Sequence, residues 1–208
     1  MQYLVTDTEA KLAKNPHHIF NINIIVTHLA ISQVSLEIGH GNPWYFLFVP
    51  AISSMVIAYL YFHGKQIANS QSWFVAAHWT LAWRRGRNLL IAYGVATVIM
   101  ILGSILGNLF GGGLMMNDFS TEGTSTSIIE KLSLFFAGLS VFLTVLYNFL
   151  QTGISVYDAG KGIIDPKIEQ YLPRNDSANP ELGIGKDEVA GGIINETSQT
   201  TEKDSAKD

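Results

Sequence analysis

His28 is the residue whose type and position most suggest chemistry, because it is an ionisable side chain inside a long apolar stretch. Such a residue marks a functional position when the stretch crosses a membrane, since lipid does not solvate charge. An imidazole there could ligate haem b, relay protons or bind a metal ion. It could also act only as polar glue, hydrogen-bonded to a neighbouring helix. The sequence favours this structural role.

A haem-binding helical bundle needs two axial histidines on facing helices at matched depth. His63 is the best partner for His28 in this respect, because it lies on the next apolar stretch. Their depths differ, however. His28 is about 13 Å into its stretch at 1.5 Å per residue, whereas His63 stands at a boundary. Cofactor binding by His28 and His63 is therefore kept as an alternative.

Four histidines could form a zinc or copper site at one end of the apolar stretches. These are His17, His18, His63 and His78. Adjacent residues such as His17 and His18 point in different directions on a helix. The chain has no cysteine and no HExxH or HxxxH pattern, so no recognised metal-binding motif supports the site.

No catalytic motif is present, and the sequence favours a protein that is not an enzyme. The glycine-rich stretch 111–127 lacks lysine and is not a phosphate-binding loop. The absence of cysteine excludes disulfides, thiol catalysis and covalently attached haem. Before Pro173 the chain carries nine positive and nine negative charges, so no nucleic-acid partner is indicated.

The elements that would position these residues are membrane helices. Charged residues make up only 14 % of the chain, against about a quarter in soluble domains. Long uncharged stretches with charged ends are typical of helices that cross a bilayer. We predict an all-α polytopic membrane protein with four transmembrane helices. The spans are expected at about residues 19–38, 44–62, 89–110 and 130–156.

Polar segments flank this transmembrane domain, which we place at residues 19–157. Residues 1–18 form a polar N-terminal segment. Residues 158–208 are predicted to be a cytoplasmic, largely disordered tail, because they are rich in charged and small polar residues. One helical turn is expected within the tail at residues 167–172.

Local signals predict how the helices begin and bend. Thr6 and Glu9 have the spacing of a capping box, so a short helix is expected after them. Pro16 is expected to end or redirect this helix. Pro50 is expected to kink the second span, because proline removes a backbone hydrogen bond.

The first span carries a polar stripe. Asn21, His28 and Ser35 recur at seven-residue steps, and Ser32 lies one turn beyond His28. Such a stripe faces other helices rather than lipid. Polar positions of the fourth span are the expected partners. The predicted intramembrane polar cluster is Asn21, His28, Ser32, Asn148 and Gln151.

Gly103, Gly107 and Gly111 repeat every four residues and form a glycine zipper on the third span. Small residues let another helix approach closely. The zipper could pack inside the molecule, against residues 137–140 of the fourth span, or against another protein. Both possibilities remain open from the sequence.

Tryptophans and arginines precede the third span. Trp73, Trp79 and Trp83 are followed by a basic cluster. This pattern predicts an interfacial Trp-rich helix, or a long leading extension of the third span. The cluster could bind lipid headgroups or anchor the span. It consists of Arg84, Arg85 and Arg87.

The lysines and arginines predict the orientation. Four spans place both termini and the 63–87 loop on one side, which holds every Lys and Arg except Lys131. The positive-inside rule makes that side cytoplasmic. We therefore expect an inner- or plasma-membrane protein with cytoplasmic N- and C-termini.

The first functional hypothesis is a non-enzymatic accessory, assembly or scaffold subunit of a membrane complex. The glycine zipper and the flexible tail suggest other membrane subunits as partners, besides the surrounding lipids. One alternative is a haem b-binding electron carrier that uses His28. Another is a small transporter or channel lined by the polar stripe.

Overall fold

The computed structural model describes residues 2–40, 43–110, 115–116 and 126–174. Within these ranges, four helical segments are long and apolar enough to cross a membrane. They are Asp7–Gly39, Tyr45–Ser70, Trp73–Phe110 and Ile128–Gly160. The protein is therefore an all-α polytopic membrane protein, as predicted. The segment expected to be a disordered tail lies outside the described residues from position 175 onward.

The first segment consists of helix α1 (Asp7–Ile25), a π-helical turn (Val26–Ile31) and helix α2 (Ser32–Gly39). The predicted capping box is confirmed: the Glu9 amide donates to Thr6 Oγ1, and the Thr6 amide donates to Glu9 Oε2. The expectation that Pro16 ends the helix is wrong, because α1 continues through it. Burial of Ala13 and His17 on either side of Pro16 shows that packing, rather than local propensity, decides the helix here.

Helix α3 (Phe48–Ser70) follows a 3₁₀ turn at Pro43–Leu47. Pro50 is the third residue of α3, where the backbone N–H has no acceptor inside the helix. Proline in this first turn removes no helical hydrogen bond. Pro50 therefore lies just after the junction of the 3₁₀ turn and α3, inside the helical segment Tyr45–Ser70, and the kink expected there stays a prediction.

Helix α4 (Trp73–Phe110) is one continuous helix of 38 residues. At 1.5 Å per residue it is about 57 Å long, whereas the hydrocarbon core of a bilayer is about 30 Å thick. The Trp-rich segment is therefore a leading extension of the helix that contains the third span. Helix α5 (Ile128–Gly160) has 33 residues and is also longer than the core requires.

The chain divides into two compact units, which draw on the same helices. Unit 1 comprises Met1–Ile19, Tyr59–Ala82 and Gly153–Asp208, and unit 2 comprises Phe20–Ala58 and Trp83–Thr152.

Unit 1 has a buried apolar core. Its fully or nearly fully buried members are Tyr3, Ala13, Phe74, Ala77, Ala159, Ile164 and Ile168. The N-terminus is held by the Tyr3 amide, which donates to the Gly162 carbonyl at 2.7 Å. Residues 158–174, expected to open the tail, are folded here. They include the predicted helical turn, a 3₁₀ helix at Pro166–Gln170 capped by Asp165.

Unit 2 exposes its large apolar side chains, as a lipid-facing bundle does. Met55 and Leu109 are each 71 % exposed, and Phe110 is 67 % exposed. Its helices approach at small residues: a Cβ at Gly86 would contact the side chain of Ile57. Between α4 and α5, strands β1 (Met115–Met116) and β2 (Thr126–Ser127) pair antiparallel.

Candidate functional site

Five polar side chains of unit 2 form one hydrogen-bonded series, which we call the polar chain: Thr27, Asn23, Ser53, Tyr93 and His28. Thr27 Oγ1 donates to Asn23 Oδ1, and Asn23 Nδ2 donates to Ser53 Oγ, each at 3.0 Å. The Ser53 hydroxyl also hydrogen-bonds Tyr93. The Tyr93 hydroxyl lies 2.6 Å from His28 Nε2. The series links the first helical segment to α3 and α4.

The Ser53 hydroxyl accepts from Asn23 Nδ2 and also contacts Tyr93. Between the Tyr93 hydroxyl and His28 Nε2, one atom donates and the other accepts, and the tautomer of the His28 ring decides which. The other ring nitrogen, His28 Nδ1, is buried and has no hydrogen-bond partner among the described residues. No carboxylate takes part in the polar chain.

Local structure explains this arrangement. Asn23 and Thr27 are four residues apart and share a helix face, and His28 lies in the π-helical turn. Asn23, Thr27 and Ser53 are 3 %, 2 % and 0 % exposed. Burial of such groups is costly unless they are hydrogen-bonded, and each of the three is bonded here. These three side chains therefore form a satisfied structural network, whereas His28 Nδ1 has no partner among the described residues.

The predicted polar cluster has a different membership in the structure. His28 bonds to Tyr93, whereas Ser32 Oγ donates to the backbone carbonyl of His28 at 2.6 Å. Asn21 and Gln151 are half-buried. Asn148 is fully buried, and among the described residues its side-chain Nδ2 and Oδ1 have no hydrogen-bond partner. Asn148 therefore does not pair with His28.

Sequence reasoning missed Asn23, Thr27, Ser53 and Tyr93. Asn21, His28 and Ser35 were predicted to share one helix face because they are seven residues apart. The π-helical turn at Val26–Ile31 widens the helix and changes which residues share a face there. The available signal was the four-residue spacing of Asn23 and Thr27, together with single polar residues inside the second and third spans.

The two histidines proposed to bind haem lie in different units. His28 belongs to unit 2, and the nitrogen that haem iron would need is hydrogen-bonded to Tyr93. His63 belongs to unit 1, where its ring stacks on Tyr59 and meets the edge of Trp79, with centroids 5.2 and 4.7 Å away. Haem ligation by His28 would require the bond to Tyr93 to break.

Two of the four predicted metal ligands meet in unit 1. His17 and His78 are fully buried, and His17 Nε2 lies 2.9 Å from His78 Nδ1. One of these nitrogens must carry the hydrogen while the other accepts it. His18 is exposed and His63 half-buried. Across the part of the chain that the structure describes, no group of three or more His, Cys, Asp or Glu is arranged to hold a metal ion.

The glycine zipper contacts α5 within unit 2. A Cβ at Gly103 would overlap the side chain of Ser133, and one at Gly107 would approach Glu130 Cγ to 2.9 Å. These partners lie nearer the start of α5 than the expected residues 137–140. Gly111 lies outside the described residues.

Two open grooves follow the helices of unit 2. The first, of about 440 Å³, is lined by Lys131, Leu134, Phe135, Gly138, Leu139 and Phe142. The second, of about 380 Å³, is lined by Asn88, Ile91, Leu143, Thr144 and Tyr147. The basic cluster lies just before Asn88, with Arg84 and Arg85 half-buried and Arg87 exposed. No protein-family model, curated protein or solved structure matches the chain.

Proposed function

We propose that this protein is a non-enzymatic accessory, assembly or scaffold subunit of a membrane complex, which docks other subunits through the outer face of α5. The observation that carries the proposal is an open notch at Gly138. A Cβ at this position would meet no atom of the described residues within 4 Å. Three large apolar side chains surround the notch: Leu134, Phe135 and Phe142 are 55 %, 61 % and 59 % exposed.

The physics of helix association in lipid favours this face. Lipid tails are as apolar as leucine, so membrane helices associate through close packing at small residues rather than through hydrophobic burial. A glycine between large side chains can accept a side chain from another helix. Gly103 and Gly107 already contact Ser133 and Glu130, whereas no other described residue comes within 4 Å of the Cβ position of Gly138.

The low burial of α5 within the molecule supports the same role. Only 11 % of the apolar stretch of Ile128–Gly160 is buried within the molecule, against 29 % for Asp7–Gly39. Helix α5 therefore has more surface left for lipid or a partner helix. The polar chain also fits a structural protein, because His28 is engaged by Tyr93.

The proposed orientation places both termini and the α3–α4 connection in the cytoplasm. An even number of crossings brings the termini to one side. The basic residues on that side are the support for calling it cytoplasmic, because lysines and arginines are retained there during insertion. The membrane would be the inner or plasma membrane.

Filling the notch tests the proposal. Gly138→Leu should abolish co-purification of partner subunits from native membranes in mild detergent, because the added side chain occupies the docking position. Gly94→Leu is the matched control, since a Cβ at Gly94 also meets nothing within 4 Å. A photo-crosslinking residue in place of Phe135 should capture a membrane protein in the wild-type background and lose it with Gly138→Leu.

Two results would contradict this role. One is a wild-type protein that leaves the membrane as a monomer without any crosslinked partner. The other is equal partner recovery with Gly138→Leu and Gly94→Leu. A visible Soret band that disappears with His28→Ala would instead support the haem b alternative.

A further inference from the structure

We infer that the groove lined by Asn88, Ile91 and Leu143 is a binding site for one anionic phospholipid, with an acyl chain in the groove and the phosphate at Arg87. This inference is independent of the proposed subunit role, which concerns the notch at Gly138. It assigns a ligand to a second surface of unit 2.

The groove has the size and composition for an acyl chain. It is open along the helix surface and has a volume of about 380 Å³. Ile91 and Leu143 are 57 % and 54 % exposed, so their apolar surfaces are open to a ligand. They lie on α4 and α5, whose close approach within unit 2 is seen at Gly103 and Ser133.

Polar side chains also line the groove. Asn88 and Tyr147 are both exposed and both line it. An amide and a phenol can donate hydrogen bonds to the ester and phosphate oxygens of a lipid. Thr144 is not a further free donor, because its hydroxyl donates to the Ser140 carbonyl at 2.9 Å.

Charge selects an anionic occupant. Arg87 is exposed, precedes Asn88 in the chain, and lies one helical turn from Ile91 on the same face of α4. Arg84 lies one turn from Asn88 in the same way. Guanidinium groups bind phosphate through charge-assisted hydrogen bonds, and basic pockets between membrane helices are typical sites for anionic headgroups. An apolar partner helix would gain nothing from Arg87 and Asn88.

The test uses the full-length protein in nanodiscs of phosphatidylcholine with a minor fraction of phosphatidylglycerol. Native mass spectrometry then counts the phosphatidylglycerol retained per protein. Arg87→Gln should weaken retention about fivefold, which is the effect of one basic side chain near an anionic surface. Lys65→Gln is the charge-matched control, because Lys65 does not line the groove and its ammonium group lies over the Tyr61 ring.

A second pair of variants tests the groove itself. Leu143→Trp and, independently, Ile91→Trp should reduce retention by filling the space for the acyl chain, whereas Leu134→Trp, on the other groove, should not. Excess inorganic phosphate should fail to displace the lipid, since the acyl chain contributes to binding.

Several outcomes would overturn the site. If Arg87→Gln and Lys65→Gln reduced the retained phosphatidylglycerol equally, the lipid would be held only by a diffuse electrostatic attraction to the protein. Unchanged retention in both folded tryptophan variants, each with an unaltered circular dichroism spectrum, would show that no chain occupies the groove. Displacement by inorganic phosphate would show that the arginine binds phosphate without the lipid.

Discussion

The hydroxyl oxygen of Tyr93 lies 2.6 Å from Nε2 of His28, and the two rings are nearly parallel, with an angle of 13° between their planes. The pair ties α4 to the π-helical turn of the first helical segment. Hydrogen bonds between membrane helices contribute on average about 0.6 kcal/mol and at most about 1.7 kcal/mol. The hydrogen bond gives His28 a structural contact with α4.

Removal of one hydroxyl tests this contact. Tyr93→Phe keeps the ring but leaves His28 Nε2 without this hydrogen bond, so we expect a loss of about 0.6–1.7 kcal/mol in unfolding free energy. The measurement is a denaturant titration in mixed micelles, followed by circular dichroism. Tyr147→Phe is the control, because the Tyr147 side chain is exposed. Equal stability of the two variants would contradict a structural bond.

Gly103 should be intolerant of even one methyl group. Gly103→Ala would place a Cβ onto the Ser133 side chain, so the helices must separate and the melting temperature should fall. Ser133→Gly in the same chain should restore stability by vacating that space. Gly94→Ala should leave the melting temperature unchanged, since the added Cβ meets no described residue within 4 Å. A double variant no more stable than Gly103→Ala would refute the contact.

The buried histidine pair of unit 1 should behave as a coupled unit. His78→Leu leaves the His17 Nε2 without its partner, and an unsatisfied buried group costs about 1–3 kcal/mol. His17→Leu should cost a similar amount. The double replacement should cost less than the two single replacements together, because it removes both polar groups. Strict additivity in a double-mutant cycle would exclude the hydrogen bond as a source of stability.

Asn148 should be replaceable by an apolar residue. It is 0 % exposed, and within the described part of the chain its side-chain amide makes no hydrogen bond. Asn148→Leu removes this desolvation penalty, so we expect an increase of about 1 kcal/mol in unfolding free energy. Asn88→Leu is the control variant, because the same replacement is then made at an exposed site. A clear loss of stability with Asn148→Leu would mean that the amide is satisfied in the membrane.

The membrane architecture was predictable because lipid imposes long uncharged stretches on a sequence. The capping box at Thr6 and Glu9 was also readable, since it depends on two residues three apart. The continuation of α1 through Pro16 was not, because tertiary burial of its neighbours overrides the local preference of proline. Nor could spacing reveal that residues 158–174 fold with the N-terminus.

The candidate site was predicted only in part. His28 was identified from its position alone, but its partner Tyr93 is 65 residues away and no periodicity connects them. The π-helical turn also shifted the polar face away from the seven-residue step. His17 and His78 were both predicted to be metal ligands. Their direct contact with each other depends on the packing of α1 against α4 in unit 1, which residue spacing does not reveal.

The number and direction of the crossings are tested most directly by single-cysteine labelling, since the natural chain has no cysteine. Each single-cysteine variant is treated in intact cells with a membrane-impermeant thiol reagent. The variants are Lys11→Cys, Gln71→Cys, Ser120→Cys and Asp176→Cys. We expect Ser120→Cys to react at once and the other three to react only after lysis. Reaction of the two terminal positions from opposite faces of the membrane would contradict four crossings.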